Sequence, residues 1–277
     1  MANRMVKKYI GSILLNIGII IVSLIYLVPL WIIIVNSLKD KTAAGSFSLA
    51  LPAKIYFLEN YTQVFIDGNI PKAFFNGFFM STTVAILSII LSAMAGFYVA
   101  RTRKKLGNLL YSYFISGIII PISIVPTYYL LLKTGLNQTY QGFILLFTVY
   151  GIPLGVFLYT GFIKSIPREM DEAAIVDGCG HVRMFFQIIF PLLKPVTMTI
   201  AVLNFLLVWN DITGQIYFLD GDKWMMAMTV YSFIGKYSQN WHLVFADVLM
   251  AMIPAIVLYL AGQNFIIKGM TAGAVKG

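Results

Sequence analysis

A chain of 277 residues could bury one large soluble core, but 59% of these residues are hydrophobic and only 11% are charged, against about a quarter charged in ordinary soluble domains. The formal net charge is +9, and the basic residues cluster at the ends of apolar segments, so membrane topology explains this charge better than nucleic-acid binding. A single cysteine, Cys179, excludes an internal disulfide framework, and no Cys/His cluster indicates a metal site. The composition therefore predicts an all-α integral membrane protein.

Six apolar segments approach or exceed the roughly 20 residues that a membrane-spanning helix needs. They cover Ile10–Val35, Ala73–Ala100, Leu106–Leu132, Gly142–Ile163, Val196–Leu219 and Val248–Ile267. The basic start before the first segment resembles a signal peptide, but the apolar run is too long and no cleavage site follows, so an uncleaved first span is predicted. Because no linker-like change of composition divides the chain, residues 1–277 are predicted to form a single transmembrane domain.

The distribution of lysine and arginine predicts the orientation. The N-terminus, the C-terminus and the second and fourth connections together carry 13 basic residues, whereas the opposite set of connections carries seven. Cytoplasmic connections are the more basic ones. Both termini are therefore predicted to be cytoplasmic, together with the loop Ser165–Pro195.

This cytoplasmic loop contains four of the eleven acidic residues, namely Glu169, Asp171, Glu172 and Asp177. Ser165 is predicted to cap a helix with Pro167 in its first turn, and the acids then lie near the helix N-terminus, where negative charge is favourable. One face carries Met170, Ala173, Ala174 and Asp177, and the two alanines make it small and nearly flat. A flat face of this kind suits docking into a groove of another protein, and a surface helix without a partner is the alternative.

A sharp turn and a second helix are predicted to follow. Gly178 and Gly180 permit the turn. The second helix offers apolar surface toward the membrane until Pro191 breaks it. Its apolar residues are Phe185, Phe186, Ile188 and Ile189.

The spacing within this loop resembles a known motif. Glu172-Ala173-Ala174, Gly178, Ile188 and Pro191 stand in the spacing of the "EAA loop" of binding-protein-dependent ABC importers, with Phe190 where the family has leucine, and Asp177 precedes Gly178 as is common there. The segment Gln263–Gly277 resembles the C-terminus of maltose-permease-type carbohydrate importer subunits. Trp209-Asn210-Asp211 resembles the Trp-Asn-acidic stretch of their fifth span.

The resemblance implies the type I ABC importer permease fold, with a coupling helix between the fourth and fifth spans. It implies a sugar, in particular an oligosaccharide, as substrate and the bacterial plasma membrane as location. The partners implied are a second homologous permease subunit, two cytoplasmic ATPase subunits and an extracytoplasmic solute-binding protein, besides the lipid bilayer. Coupling to the ATPase is expected from Glu172, Ala173, Ala174, Asp177, Gly178 and Pro191, and contact of the tail with the ATPase from Thr271, Gly273 and Lys276.

No cofactor is expected in this chain. The phosphate-binding pattern G-x-x-x-x-G-K-[ST] does not occur in the sequence, so ATP and Mg²⁺ are expected to bind to the partner subunits. The chain is accordingly expected not to be an enzyme by itself.

Two further sets of residues are candidate sites. Asn204, Trp209, Asn210 and Asp211 recur along the fifth span and could line a pathway, because amide and carboxylate groups beside an aromatic ring suit sugars. The main sugar site in the partner permease is the alternative. Asp247 is expected at the outer interface in water. In the outer loop Asp220–Leu243, Tyr231 and Trp241 are predicted to contact the solute-binding protein, because its aromatic residues are too many to be membrane anchors only.

The alternative function from another class is a secondary, ion-coupled transporter. Such a protein would need internal repeats and broken helices, and it would not need an ordered cytoplasmic loop. A channel subunit would need a selectivity filter or a charged ring, and an enzyme would need a catalytic pair. The sequence shows no short internal repeat, no selectivity-filter motif or charged ring, and no catalytic pair.

Overall fold

The computed structural model of the protein describes residues 2–102, 104–121, 123–235 and 240–274, with side chains described within 12–265. Over these residues the chain is overwhelmingly helical, which confirms the all-α prediction. The helices are α1 Ala2–Ser37, α2 Lys41–Ala44, α3 Phe57–Asp67, α4 Ile70–Arg101, α5 Lys105–Ile119, α6 Ile124–Lys133, α7 Tyr140–Lys164, α8 Glu169–Val176, α9 His181–Met184, α10 Phe190–Leu192, α11 Lys194–Trp209, α12 Thr213–Phe218, α13 Met226–Thr229 and α14 Trp241–Ala274.

Four helices are long and apolar enough to cross a membrane as continuous elements. Their spanning parts are Ser12–Ser37, Ile70–Arg101, Tyr140–Lys164 and Trp241–Phe265. Two bent pairs, Lys105–Ile119 with Ile124–Lys133 and His181–Leu192 with Lys194–Trp209, raise the number to six if each pair counts as one span. The first, second, fourth and sixth predicted spans are thus continuous helices in the structure.

The third predicted span, Leu106–Leu132, is not one straight helix. Helices α5 and α6 meet at an angle of 110°. Ile120 ends α5 with an extended backbone at ψ 117°, because the ring of Pro121 disfavours helical geometry in the residue before it. Pro121 therefore divides the third predicted span into the helices α5 and α6.

The fifth predicted span, Val196–Leu219, is interrupted as well. Helix α11 ends at Trp209, and the short helix α12 begins only at Thr213. On its other side, α11 is bent by 82° from the helical segment that precedes it. The interruption lies around Asp211, the one charged residue of this predicted span.

The chain divides into two compact units. The first comprises residues 1–70 and 229–252, and the second residues 71–228 and 253–277. In the first unit, the connection after α1 is fixed by the buried ammonium of Lys39, whose Nζ donates to Asn36 Oδ1 at 3.0 Å and to the carbonyl oxygen and Oγ of Ser48 at 3.0 and 3.2 Å. Asn60 in α3 donates its side-chain N–H groups to the carbonyls of Ser37 and Lys39. These hydrogen bonds join α1 to α3.

The second unit contains two apolar clusters. One includes Met80, Phe143, Phe147 and Val208, from α4, α7 and α11. The other includes residues from the same three helices together with Ala174 of α8 and residues that follow it, among them Phe185, Ile189 and Leu193. The loop between α7 and α11 therefore packs on the helices that it follows and precedes.

Close contacts between α4, α7 and α11 depend on two glycines one helical turn apart. A Cβ on Gly151 would collide with the Asn204 side chain and with Ser88 Oγ, and a Cβ on Gly155 would collide with Ser92. Small residues at such positions allow helix backbones to approach closely. In the second unit, these three helices consequently fit together without room for a larger side chain.

Candidate functional site

The loop between α7 and α11 begins with the end of α7. Ser165 is the C-cap of α7, and its hydroxyl donates to the carbonyl of Phe162 at 2.7 Å. Helix α8 starts four residues later at Glu169, after Arg168. The prediction that Ser165 caps α8 is therefore wrong, because its hydroxyl completes the preceding helix instead. The three acids of the first turn do lie where the helix dipole favours negative charge.

The turn that ends α8 is closed by two backbone hydrogen bonds. The N–H of Gly178 donates to the carbonyl of Ile175 at 3.0 Å, and the N–H of Cys179 donates to the carbonyl of Ala174 at 2.9 Å. Gly178 has φ +77°, as expected for the left-handed residue of a Schellman motif. Gly180 has φ −67° and makes no such demand on its residue type. Of the two glycines predicted to form the turn, only Gly178 is needed for its backbone conformation.

The two alanines of the motif point in different directions. Ala174 is only 3% exposed and belongs to this chain's own apolar cluster. Ala173 is exposed together with Glu172, and Val176 is 85% exposed. The expectation that both alanines enter a partner's groove is therefore revised, because only Ala173 is accessible. Asp177, the C-cap of α8, is exposed as well.

A largely buried ion pair joins α8 to the end of α4. Arg101, the last residue of α4, places its Nε 2.5 Å from Asp171 Oδ2, and its Nη2 donates to Asp171 Oδ1 at 3.2 Å. Only the Nη2 contact has hydrogen-bond geometry, so the Nε contact is a close ionic one. Sequence reasoning used Arg101 only as a topology signal. Nothing in the sequence around Asp171 indicates a partner that lies 70 residues away.

The helix after the turn differs from the single segment that was predicted. Helix α9 continues into a π-helical segment at Phe185–Ile189, and the N–H of Phe190 donates to the carbonyl of Phe185. Pro191 lies inside the following short helix, and the chain bends only after it, at Leu193. Phe185 and Ile189 are buried in the chain's own cluster rather than directed to the membrane, whereas Phe186 is exposed. Pro191 is therefore not the point of the break.

A cleft of about 550 Å³ lies between the end of α4 and the loop. Its lining is mostly apolar and includes Ile175 of α8 and Val182 of α9. Charged and polar lining residues are Arg101, Arg168, Asp171, Glu172 and His181. The cleft thus combines apolar side chains with several charged ones.

The predicted pathway residues do not form one polar face. Asn204 is buried against Gly151. Trp209 is buried, with its ring stacked on Phe205 at 5.5 Å between centroids. Asn210 is exposed at the C-terminus of α11. A shared lining surface of these side chains is not formed within the second unit.

Asp211 has a structural partner in α12. Its Oδ2 accepts the N–H of Gln215 at 3.1 Å, and its carbonyl accepts a short hydrogen bond from Gln215 Nε2. The carboxylate therefore satisfies one of the free N–H groups at the start of α12. The buried Gln215 in turn accepts the N–H of Met225 at 2.6 Å. These contacts stabilise the interruption between α11 and α12.

The outer-side candidates lie in the first unit. Tyr231 is exposed, and Trp241 is half-buried at the start of α14, with its ring 4.8 Å from that of Phe47. Phe47 is exposed and has φ +51°. Asp247 is buried and accepts a hydrogen bond from Thr229 Oγ1 at 2.8 Å, so its expected position in water is wrong.

The candidates at the chain end are described only in part. Thr271 and Gly273 fall within α14, which the structure follows to Ala274, whereas Lys276 lies outside the described residues. The contact of this tail stays a prediction. Over the part of the chain that the structure describes, no group of three or more His, Cys, Asp or Glu side chains could hold a metal ion.

Comparison with known proteins gives a consistent set of relatives. Residues 88–272 match the family described as "Binding-protein-dependent transport system inner membrane component". The melibiose/raffinose/stachyose import permease protein MelC of Bacillus subtilis (strain 168) is 38% identical over 263 residues, which cover 93% of this chain and 94% of that protein. The probable starch degradation products transport system permease protein AmyC of Thermoanaerobacterium thermosulfurigenes is 33% identical over 280 residues, covering 98% and 99%.

A solved structure shares the fold. A chain of a bacterial ABC transporter involved in the import of the acidic polysaccharide alginate matches with a TM-score of 0.80 at 19% identity, over 92% of this chain and 96% of that one. At this identity the likeness concerns the fold alone. The matched family segment contains the whole loop between α7 and α11.

Proposed function

Because this chain belongs to the family of binding-protein-dependent transport system inner membrane components, we propose that it is a permease subunit of an ATP-driven importer of sugars, oligosaccharides in particular. It is a multi-pass protein of the bacterial plasma membrane and a non-enzymatic component of its transporter. The substrate class follows from relatives named as permeases for melibiose, raffinose and stachyose and for starch degradation products. The secondary-transporter alternative gains no support.

The observation that supports coupling is the exposed side of α8. Glu172, Ala173 and Val176 are accessible on a helix whose end is fixed by the Gly178 turn. A short rigid helix with a small residue at its centre can enter a groove of an ATPase subunit. Glu172 then pairs with a basic or amide group at the rim of that groove, and ATP with Mg²⁺ is bound by the ATPase.

The other partners complete the pathway. A second, homologous permease subunit forms the other half of the pathway, two ATPase subunits receive the two coupling helices, and a solute-binding protein delivers the sugar. Tyr231 and Trp241 contact the binding protein from the outer side, and Thr271, Gly273 and Lys276 reach the ATPase pair. Asn204 and Asn210 remain candidates for polar groups along the pathway, since Asn210 is exposed at the end of α11 and Asn204 lines a cavity beside Tyr150 and Gly151.

Coupling is tested by placing a charge at the accessible alanine. We expect Ala173→Glu to abolish co-purification of the ATPase and sugar uptake, because the longer charged side chain cannot enter a groove shaped for alanine. Ala50→Glu is the matched control, since Ala50 is also exposed but lies in the connection after α1. Wild-type ATPase association of Ala173→Glu would refute the docking of α8.

Substrate and energy source are tested with the reconstituted transporter. Proteoliposomes that contain the complete complex should hydrolyse ATP faster when sugar-loaded binding protein is added, with raffinose and a maltodextrin as the first probes. Uptake by this chain alone, driven by a proton or sodium gradient, would instead establish the secondary-transporter alternative.

Orientation is tested by cysteine labelling. In a Cys179→Ser background, a cysteine in place of Lys54 should react with an impermeant reagent from outside the cell, and one in place of Lys104 should not. Reversed labelling would place α8 outside and would exclude its contact with a cytoplasmic ATPase.

A further inference from the structure

The end of α4 is held by three contacts from a single side chain. Arg101 contacts both carboxylate oxygens of Asp171 in α8, and its Nη1 donates to the carbonyl of Ile166 at 3.1 Å. Ile166 lies in the connection between α7 and α8. One guanidinium therefore joins α4, this connection and α8.

The burial of this ion pair distinguishes it from the others in the described chain. The side chains of Arg101 and Asp171 are 14% and 13% exposed, whereas those of Lys72 and Asp222, 2.8 Å apart, are 47% and 85% exposed. Removal of one partner from a buried pair leaves an uncompensated charge, but an exposed pair is solvated and contributes little. The planar guanidinium also fixes the relative orientation of the groups that it binds, because its N–H groups point in defined directions.

The space around the pair shows where α8 is not tightly held. Met94, Phe97 and Tyr98 of α4 face Ile175 and other loop residues across the cleft of about 550 Å³. Helix α8 thus contacts α4 through Ala174 in the shared apolar cluster, and beside the cleft the two helices are separated. The Arg101 contacts are the polar connection between them at this cleft.

We propose that Arg101 is a positioning residue that transmits displacement of α8 to α4, through its ion pair with Asp171 and its hydrogen bond to the carbonyl of Ile166. This inference rests on the proposed docking of α8 to an ATPase. When the ATPase groove moves, α8 is pulled or pushed, and the ion pair carries the motion to α4 because it is largely shielded from water and its separation is therefore costly. Coupling requires contacts that bias two arrangements of the permease, and a link of this kind provides them.

The inference is tested with Arg101→Met and Asp171→Asn, which remove charge and keep approximate size. We expect both variants to co-purify with the ATPase through the unchanged outer face of α8. Sugar transported per ATP hydrolysed should fall by about fivefold or more, the lower range of typical coupling effects. The matched control is the exposed pair, and Lys72→Met with Asp222→Asn should leave this ratio unchanged.

A charge exchange separates transmission from simple stability. Arg101→Glu and Asp171→Arg each place like charges together, and the double variant restores opposite charges. We expect the double variant to transport more sugar per ATP than either single variant. If it is no better than the worse single variant, or if Arg101→Met and Asp171→Asn keep the wild-type ratio, the transmission role is wrong.

The outcome also distinguishes this inference from the proposed function. If Ala173→Glu prevents ATPase association while Arg101→Met keeps the wild-type ratio, docking stands and the role of Arg101 is refuted. If Ala173→Glu associates normally, docking fails and the inference fails with it. Loss of ATPase association in both Arg101→Met and Asp171→Asn would likewise overturn the inference, because the pair would then shape the docking surface itself.

Discussion

The loop that contains α8 and the break between α11 and α12 use their polar residues differently. In the loop, Asp171 forms an ion pair with Arg101 of the same chain, while Glu172 and Asp177 remain accessible. At the break, the carboxylate of Asp211 accepts a hydrogen bond from the backbone N–H of Gln215 near the start of α12. Similar residue types therefore supply a surface for a partner in one region and local helix termination in the other. The difference lies in whether the chain itself offers donors nearby.

The largest expected effect comes from the α8 turn. Gly178→Val places a β-branched residue at φ +77°, a conformation that is less favourable by about 1–2 kcal/mol for a residue with a side chain. The population of the closed turn should therefore fall about tenfold. We expect ATPase association and sugar uptake to fall strongly. Gly180→Ala is the control, because φ is −67° and no atom lies within 4 Å of the added Cβ. Normal uptake by Gly178→Val would remove the turn from the coupling mechanism.

The next effect tests the break between α11 and α12. Asp211→Ala should lower stability by about 1 kcal/mol, as for other lost helix caps, and should reduce the yield of folded protein. Asp211→Asn should be close to wild type, because asparagine also accepts a backbone N–H. Uptake kinetics and thermal stability measure both. If Asp211→Asn is stable but does not transport, the charge serves the pathway and the structural interpretation is incomplete.

A smaller effect is expected on the outer side. Tyr231→Ala and Trp241→Ala should weaken stimulation of ATP hydrolysis by sugar-loaded binding protein, because the first removes an exposed ring and the second a half-buried ring that packs against Phe47. Assembly with the ATPase should be unchanged. Tyr26→Ala is a control, since Tyr26 is an exposed ring on α1. Unchanged stimulation in both test variants would exclude this contact.

The smallest effect is expected from the chain end. Deletion of Ala272–Gly277 should lower coupled transport without preventing membrane insertion, because the thin tail adds to a contact made mainly by α8. Transport at fixed ATP measures this. Unaltered transport would show that the tail does not contribute to coupling.

The sequence was sufficient to predict features that depend on local chemistry. Apolar length predicted the continuous helices α4, α7 and α14, and Gly178 after an aspartate predicted a turn with positive φ. These features follow from burial of apolar groups and from backbone geometry, which act over a few residues. The family resemblance is confirmed by the match over residues 88–272, whereas the coupling role of the loop stays a prediction.

Features that depend on distant partners were not predicted. The pairing of Arg101 with Asp171 joins residues 70 positions apart, and the position of Ala174 in the chain's own cluster requires neighbours from α4 and α7. The break after Trp209 depends on Gln215, which is held by Met225. In each case a tertiary contact determines the structure, because the local sequence is compatible with more than one outcome.

The length of α4 gives the contact at Arg101 a mechanical consequence. Its 32 residues span about 48 Å at 1.5 Å per residue. A tilt of one degree about the Arg101 end therefore displaces the opposite end by about 0.8 Å. Because Ser88 and Ser92 of α4 fit closely against Gly151 and Gly155 of α7, a tilt of α4 of the kind proposed above requires α7 to move with it.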